Sequence, residues 1–403
     1  MRITIQTKNI IPKVFLYCIA TLPAVALLWQ QNVLFFKLNW ILYPFIIFAI
    51  LFSISLRGRA PSVFYTFLGI FLLYSVYLIM MPTDWESIFR IFIALLPLTF
   101  IRVIQQNHDY TSYRIFWLLY FITICLPLVI AYLQYTERMP YYEYDAVNGE
   151  TFGRISGGYN KPNNFISFLF PLYLFGFYRW QIQGKKIQGL FLIFFVLSVV
   201  YATGLRTAAI VFLSIFVSSF AFTKSSQLIY LYYKYYLNFF VGFLALLIIY
   251  FIFINAGFID ALRGRVPMWQ AHANAFFNSS WYEALFGKGV VLLDKKYEGM
   301  KIIGSLSEVH NNTFRTLITF GLVGYFLYCS FMRWIVFHVF TSTGNARLRH
   351  IRLSCFIFLL LYSITNEPAY YSSVLWSILL WIFPVWEKKE LMDAPVRNGH
   401  DDR

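Results

Sequence analysis

The stretch Arg114–Leu133 reads RIFWLLYFITICLPLVIAYL, and after its first residue it carries no charged side chain. At about 1.5 Å of rise per residue, a helix of this length crosses the roughly 30 Å of hydrocarbon in a bilayer. It is one of a series. Apolar runs of roughly 17 to 22 residues recur along nearly the whole chain, each long enough to span.

Working outward from it, spans are expected near 10–29, 39–56, 63–81, 88–104, 114–133, 163–179, 187–203, 206–222, 237–256, 310–332, 352–366 and 370–386. That makes about twelve transmembrane helices. The turn around Thr203–Arg206 is the least marked division between them. Composition points the same way. The 403 residues are 59% hydrophobic and 13% charged, where a soluble domain holds about 25% charged residues. The expected fold class is therefore an all-α polytopic integral membrane protein.

The first apolar run, Ile10–Trp29, is longer than the h-region of about 7 to 15 residues in a cleavable signal peptide, so none is expected. Cys18, Cys125, Cys329 and Cys355 all fall within apolar spans without metal-ligand spacing. They read as small packing residues, neither disulfides nor zinc ligands.

Lysine and arginine collect in cytoplasmic loops. With the N-terminus inside, about twenty of the 33 basic residues fall inside, which is the bias the rule requires. The tail EKKELMDAPVRNGHDDR then ends inside as well. Two longer segments, 134–163 and 256–309, are placed outside, and loops of this length within a compact protein are usually functional. In the second, Val266, Trp269, Ala273, Phe276 and Phe277 are spaced as on a helix packed against a membrane surface. The chain divides into N-terminal helices (1–133), a central region with both external loops (134–332), C-terminal helices (333–387) and a cytoplasmic tail (388–403).

The net charge of +15 does not imply nucleic acid, because no soluble basic face with stacking aromatics accompanies it. Much of the excess is topological bias. The remainder lies in the outer loops, where it suits an anionic headgroup or a diphosphate.

Several polar groups on the outer side need a reason to be there. Arg206, in YATGLRTAAIVF, lies between two apolar runs; it either anchors a helix end at the interface or faces an anion in a wet cavity. Arg265, in GRVPMWQ, precedes Pro267, and proline suits the first turn of a helix, an entrance that accommodates a phosphate. A solvated loop arginine is the bland reading, and Arg263 could share either role. Arg154, in GRISGGYNKPNN, sits among glycines that permit tight turns, with Asn163 or Asn164 a candidate cap for the helix that follows.

His310 opens HNNTFRTLITFGLVG. From there Asn312, Arg315, Thr316 and Thr319 fall on one side at helical spacing, a polar stripe expected to face the bundle interior. An interfacial histidine is often structural, yet an intramembrane arginine beside it marks a functional candidate. Gly321 and Gly324 would admit a close neighbour. Arginines can hold a diphosphate in bidentate fashion, and an imidazole can accept a proton from a hydroxyl. No Asp-x-Asp pair or dense carboxylate cluster stands outside to hold a divalent ion.

His310-Asn311, nine residues, Gly321, two residues, Gly324 resembles the signature of the bacterial O-antigen ligase and polymerase superfamily. TGLRTAAIV resembles that family's segment around an arginine at a helix junction, with Leu205 in place of a smaller residue. GRVPMWQ with the later Gly287 and Gly289 resembles its outer-loop segment, and GRISGGYNKPNNF its Arg…Gly…Pro-Asn segment. The likeness covers roughly residues 150–330.

The resemblance implies a metal-independent glycosyltransferase without cofactor, multi-pass in the bacterial inner membrane, with its active site and a long, partly helical loop on the periplasmic side. Its donor would be an undecaprenyl-diphosphate-linked glycan, its acceptor the lipid A–core or a second lipid-linked glycan, with membrane lipid but no nucleic acid as partner. Carried over residue by residue, His310 is the group that activates or orients the acceptor. Arg206 and Arg265 face the donor diphosphate, and Arg154 and Asn163 match a further segment on the substrate; beside these, Arg263, Arg315, Asn311 and Asn312 are candidate donor- or substrate-binding residues from their own positions. The activity expected is an O-antigen ligase of lipopolysaccharide biosynthesis. A repeat-unit polymerase of the same superfamily is the alternative, and a lipid-linked glycan transporter is the reading from a different class.

Overall fold

The computed structural model of the chain describes residues 17, 20–28, 30–31, 62–79, 110–145, 151–160, 162–222, 274, 276–287, 312–335, 351, 354 and 358. Most of these are helical. In chain order the elements are α1 (Ser62–Ile79), α2 (Tyr110–Tyr135), β1 (Tyr142–Asp145), β2 (Thr151–Arg154) and α3 (Pro162–Phe177), which runs on into a π-helical turn at Tyr178–Ile182. They continue with α4 (Lys186–Ala202), α5 (Arg206–Phe222), α6 (Trp281–Phe286) and α7 (Asn312–Ile335); residues 20–28 are helical too.

Helices thus stand where apolar runs were expected near 63–81, 114–133, 163–179, 187–203, 206–222 and 310–332, and over part of 10–29. The expected spans 39–56, 88–104, 237–256 and 370–386 lie outside the described residues, as does all of 352–366 except 354 and 358. Among the described residues one helix, Arg114–Tyr135, is long and apolar enough to cross a membrane, with 22 residues at a mean hydropathy of 2.3. Lys186–Ala202 and Arg206–Phe220 are shorter apolar helices.

Helix α3 is the hub. Phe165 through Phe177 are all buried, which only a helix surrounded by others achieves, and its sequence is correspondingly apolar on every side. Helix α2 lies antiparallel to it. The Tyr120 hydroxyl donates to the Phe168 carbonyl, and Trp117, a turn earlier, packs on Phe175 with ring centroids 4.3 Å apart. Residues 20–28 run parallel to α2, with Thr123 Oγ1 donating to the Ala20 carbonyl at 2.8 Å and Leu27 meeting Ile130 around Gly158.

Helix α4 turns back on α3 through a crossing of small residues. A Cβ on Gly189 would lie 2.5 Å from the Trp180 nitrogen, and one on Gly176 2.8 Å from Ile193 Cγ1. Backbones come this close only where side chains are missing. Helix α5 then runs parallel to α3: the Tyr173 hydroxyl donates to the Phe212 carbonyl at 2.6 Å, and further along Trp180 packs on Phe220. Phe358 seals this side by stacking on Phe170 at 4.0 Å. At the turn between α3 and α4, the Arg179 guanidinium lies over the Phe175 ring, 5.1 Å from its centroid, and donates to Gln183 at 3.0 Å.

The outward faces are apolar as well. Leu73 on α1, Ile122 on α2, Phe191 on α4 and Leu213 on α5 are all exposed, Leu73 by 73% and Phe191 by 71%. Such surfaces are oily on both sides, unlike the amphipathic helices of a water-soluble domain.

Candidate functional site

The alternation of helices puts the C-terminal ends of α2 and α4 and the N-terminal ends of α3 and α5 at one end of the bundle. The sequence-predicted residues Arg154, Asn163 and Arg206 all gather there. Tyr173 and Phe212 face each other with a sequence offset of 39, and parallel helices hold their offset, so Arg206 comes level with Ser167 of α3. Asn163 is one turn above, its carbonyl accepting from Ser167 Oγ at 2.9 Å.

Arg206 is the first residue of α5 and is exposed. The junction before it is a tight turn, as its position between two apolar runs suggests. Gly204 has φ +69, and Thr203 Oγ1 donates to the Val200 carbonyl at 2.6 Å while accepting from the Leu205 N–H at 3.3 Å. A cation at a helix N-terminus opposes the helix dipole, so helix stability does not account for Arg206 there. The same place, with amides and a guanidinium together, suits an anion.

Arg154 closes the hairpin, opposite Tyr142 in an antiparallel pair, and is half-buried. The loop that follows is built into the protein. Gln134, at the end of α2 and 4% exposed, accepts from the N–H groups of Ser156 and Gly157, both at 3.0 Å. It also donates to the Pro140 carbonyl at 2.9 Å. One amide side chain thereby fixes both ends of the hairpin. Gly157 and Gly158 have φ of +62 and +82, and a Cβ on Gly157 would lie 2.9 Å from the Phe165 ring.

Tyr159, next in line, is buried and donates to the Pro23 carbonyl at 2.7 Å. Burial pushes its phenol well above the usual range, with a smaller contribution from Tyr120. Gln30 accepts from the Asn160 N–H at 2.8 Å, and Gln31 donates to the Gly158 carbonyl. The expected cap is corrected here. Pro162 is the first helical residue, which suits a residue that lacks an N–H, and Asn163 lies inside the first turn.

A second group forms around α7. Arg315, Thr316 and Thr319 are all buried, Arg315 at 7% exposure, as the expected polar stripe requires. The helix is not continuous: Gly321 adopts φ 66, ψ −172 and breaks it. Helix α6 docks at the break. It is opened by Ser280 and Glu283 as a capping box, with the Ser280 N–H donating to Glu283 Oε2 at 3.0 Å. It ends at Gly287, which has φ 94. A Cβ on Gly287 would lie 2.2 Å from the Thr319 carbonyl oxygen, and one on Gly321 2.3 Å from that of Leu285. On the other side, the Tyr74 hydroxyl of α1 donates to the Phe320 carbonyl at 2.6 Å.

Gly287 of the Gly-x-Gly segment and Gly321 of the His-Asn-x9-Gly-x2-Gly pattern are therefore partners in one contact, which their separation in sequence conceals. Asn312 begins α7. His310, Asn311, Arg263 and Arg265 lie outside the described residues. Among the described residues, no group of three or more His, Cys, Asp or Glu side chains converges on a common point.

Sequence reasoning missed three features of these groups. Gln134 carries no motif; its position at the end of an apolar run is the one available hint. Tyr74 is hidden in an apolar span. The hairpin had a signal, Asn148-Gly149 between tyrosine-rich and Thr-Phe flanks, since Asn-Gly favours tight hairpin turns. No protein-family model and no curated protein matches the chain.

Proposed function

We propose that the chain is a polytopic inner-membrane glycosyltransferase of the O-antigen ligase kind. It would transfer glycan from an undecaprenyl-diphosphate carrier to a sugar hydroxyl of the lipid A–core. The observation that carries this reading is the Gly287–Gly321 contact. It joins two of the segments on which the family resemblance rests, and it seats the outer-loop helix on the helix that His310 introduces.

Further support comes from Arg154, Asn163 and Arg206 gathering at one end of the α2–α5 bundle. The apolar outward faces of α1, α2, α4 and α5 suit lipid as their surroundings. The parallel course of residues 20–28 and α2 is what five successive spans would give, so the about twelve-helix topology is consistent with it.

In the proposed reaction the acceptor hydroxyl attacks the anomeric carbon as the bond to the diphosphate breaks. The proton passes to His310. Arg206 and Arg265 take up the charge that develops on the departing diphosphate, a stabilisation that is strong where water is scarce. Periplasmic placement of this end of the bundle belongs to the same proposal.

A polymerase reading is favoured by one observation. The SGGYN turn is held by Gln134, Pro23, Gln30 and Gln31 as a fixed wall, and that segment, shared by the polymerases and many ligase-like members, leans toward the polymerase. The test is an assay of the purified protein with a labelled lipid-linked donor, offered lipid A–core and a second carrier-linked glycan together, without nucleotide or metal. Label on lipid A–core supports the ligase. Label on the carrier-linked glycan supports the polymerase, and no transfer to either overturns both.

A further inference from the structure

Helix α7 is broken at Gly321, and a break interrupts the regular ladder of carbonyls and N–H groups around it. In an apolar setting such carbonyls need a donor, because water is not there to supply one. The Tyr74 hydroxyl provides it to Phe320, immediately before the break, at 2.6 Å. The ring is set edge-on to Phe320, with centroids 5.5 Å apart and planes at 86°. A Cβ on Gly324 would lie 2.6 Å from the Tyr74 hydroxyl oxygen, so the glycine leaves the space the phenol occupies. Tyr74 and Phe320 are each 7% exposed. The phenol is thus a buried brace between α1 and the break.

We infer that Tyr74 is a positioning residue which fixes the direction of the half-helix Asn312–Phe320. Two supports meet at the break from different parts of the chain. Helix α6 leans on it through Leu285 and Gly287, and Tyr74 ties it to α1. With both in place the half-helix, which carries Arg315, Thr316 and Thr319 and follows His310, has one orientation. Without the phenolic hydroxyl, the tie from α1 to the Phe320 carbonyl is lost, and the half-helix swings about Gly321. The consequence for transfer rests on the proposed function; the consequence for orientation does not.

The experiment separates the two. In protein with its four native cysteines replaced, Leu317→Cys places a thiol in the half-helix, and Ile193→Cys provides a control in α4. Both parent residues are buried, at 5% and 0% exposure. Modification by a small methanethiosulfonate is timed in membranes with and without Tyr74→Phe. A several-fold faster reaction at position 317, with position 193 unchanged, is the expected result. An unchanged rate at 317, or equal acceleration at both positions, overturns the inference.

Where Tyr74→Phe does not accumulate, Tyr74→Leu decides, because it removes the same hydroxyl; an unchanged rate at 317 again overturns the inference. In the transfer assay, Tyr74→Phe should lower kcat roughly tenfold with KM for the donor little changed, as misplacement of a reacting group does. A faster thiol reaction without any transfer activity in the parent would uphold the brace and sink the proposed function.

Discussion

Gly287 and Gly321 meet backbone to backbone. Each has a positive φ, and the Cβ that either one lacks would fall within 2.5 Å of the other segment's main chain. The contact therefore demands glycine twice over, for conformation and for space.

Gly321→Ala and Gly287→Ala should each destabilise the protein by about 2–5 kcal/mol, the left-handed backbone and the overpacked contact contributing together. Gly69→Ala in α1, where a Cβ meets nothing within 4 Å, should be close to neutral or slightly stabilising. Thermal unfolding in detergent distinguishes them. Equal melting temperatures for all three would contradict the contact.

Gln134→Leu leaves the N–H groups of Ser156 and Gly157 without their acceptor in a buried place, at about 1–3 kcal/mol for each unsatisfied group. The loop 136–161 should become several-fold more sensitive to limited proteolysis while the helices hold. Gln134→Glu keeps an acceptor for both N–H groups and should be the milder change.

On the proposed function, Arg206→Ala should lower glycan transfer by at least ~10²-fold, the scale seen when one preorganised donor to a developing anion is lost. Because the side chain is exposed at the start of α5, the variant should insert and unfold like the parent. Arg206→Lys should recover little, since a point charge does not reproduce the planar fork of donors. The readout is transfer from a lipid-linked donor at matched protein levels.

The Tyr159 phenol is held neutral by burial, with its ionisation pushed well above the ordinary range. Unfolded, it ionises near pH 10, so above about pH 10 the unfolded chain holds fewer protons than the folded one and stability falls as pH rises. Below that pH this group contributes a constant amount. Tyr159→Phe should lower stability at neutral pH by about 1 kcal/mol, from the lost hydrogen bond to Pro23. It should also make the alkaline decline shallower. Melting temperature against pH from 7 to about 11.5 measures both.

The helices were legible because one signal dominates them. A run such as Arg206–Phe222 or Arg114–Leu133 has no competing polar face, and the helical bounds fall within a few residues of the apolar ones. What the sequence withheld came from approach between distant segments. Gly321 reads as a small residue within a helix, and it becomes a break because Leu285 and Gly287 take the space beside it. Asn163 looked like a cap, yet Pro162 beside it had already begun the helix. Tyr74 is one aromatic among many in an apolar run, and only the Phe320 carbonyl opposite gives its hydroxyl a purpose. Among the candidate polar residues, burial of Arg315, Thr316 and Thr319 followed from helical spacing, whereas Gln134 had nothing periodic to betray it.

The ties from Tyr159 to Pro23, Asn160 to Gln30 and Gly158 to Gln31 cross more than 120 positions of chain. The stretch carrying the recognisable patterns is consequently not an autonomous module. A fragment expressed from residue 134 onward would keep the Gln134 anchor but lose the ties to Pro23, Gln30 and Gln31, and supplying residues 17–31 as a separate peptide should restore them. During synthesis, Pro23, Gln30 and Gln31 must stay within reach of α2 for the turn to be clamped as it emerges.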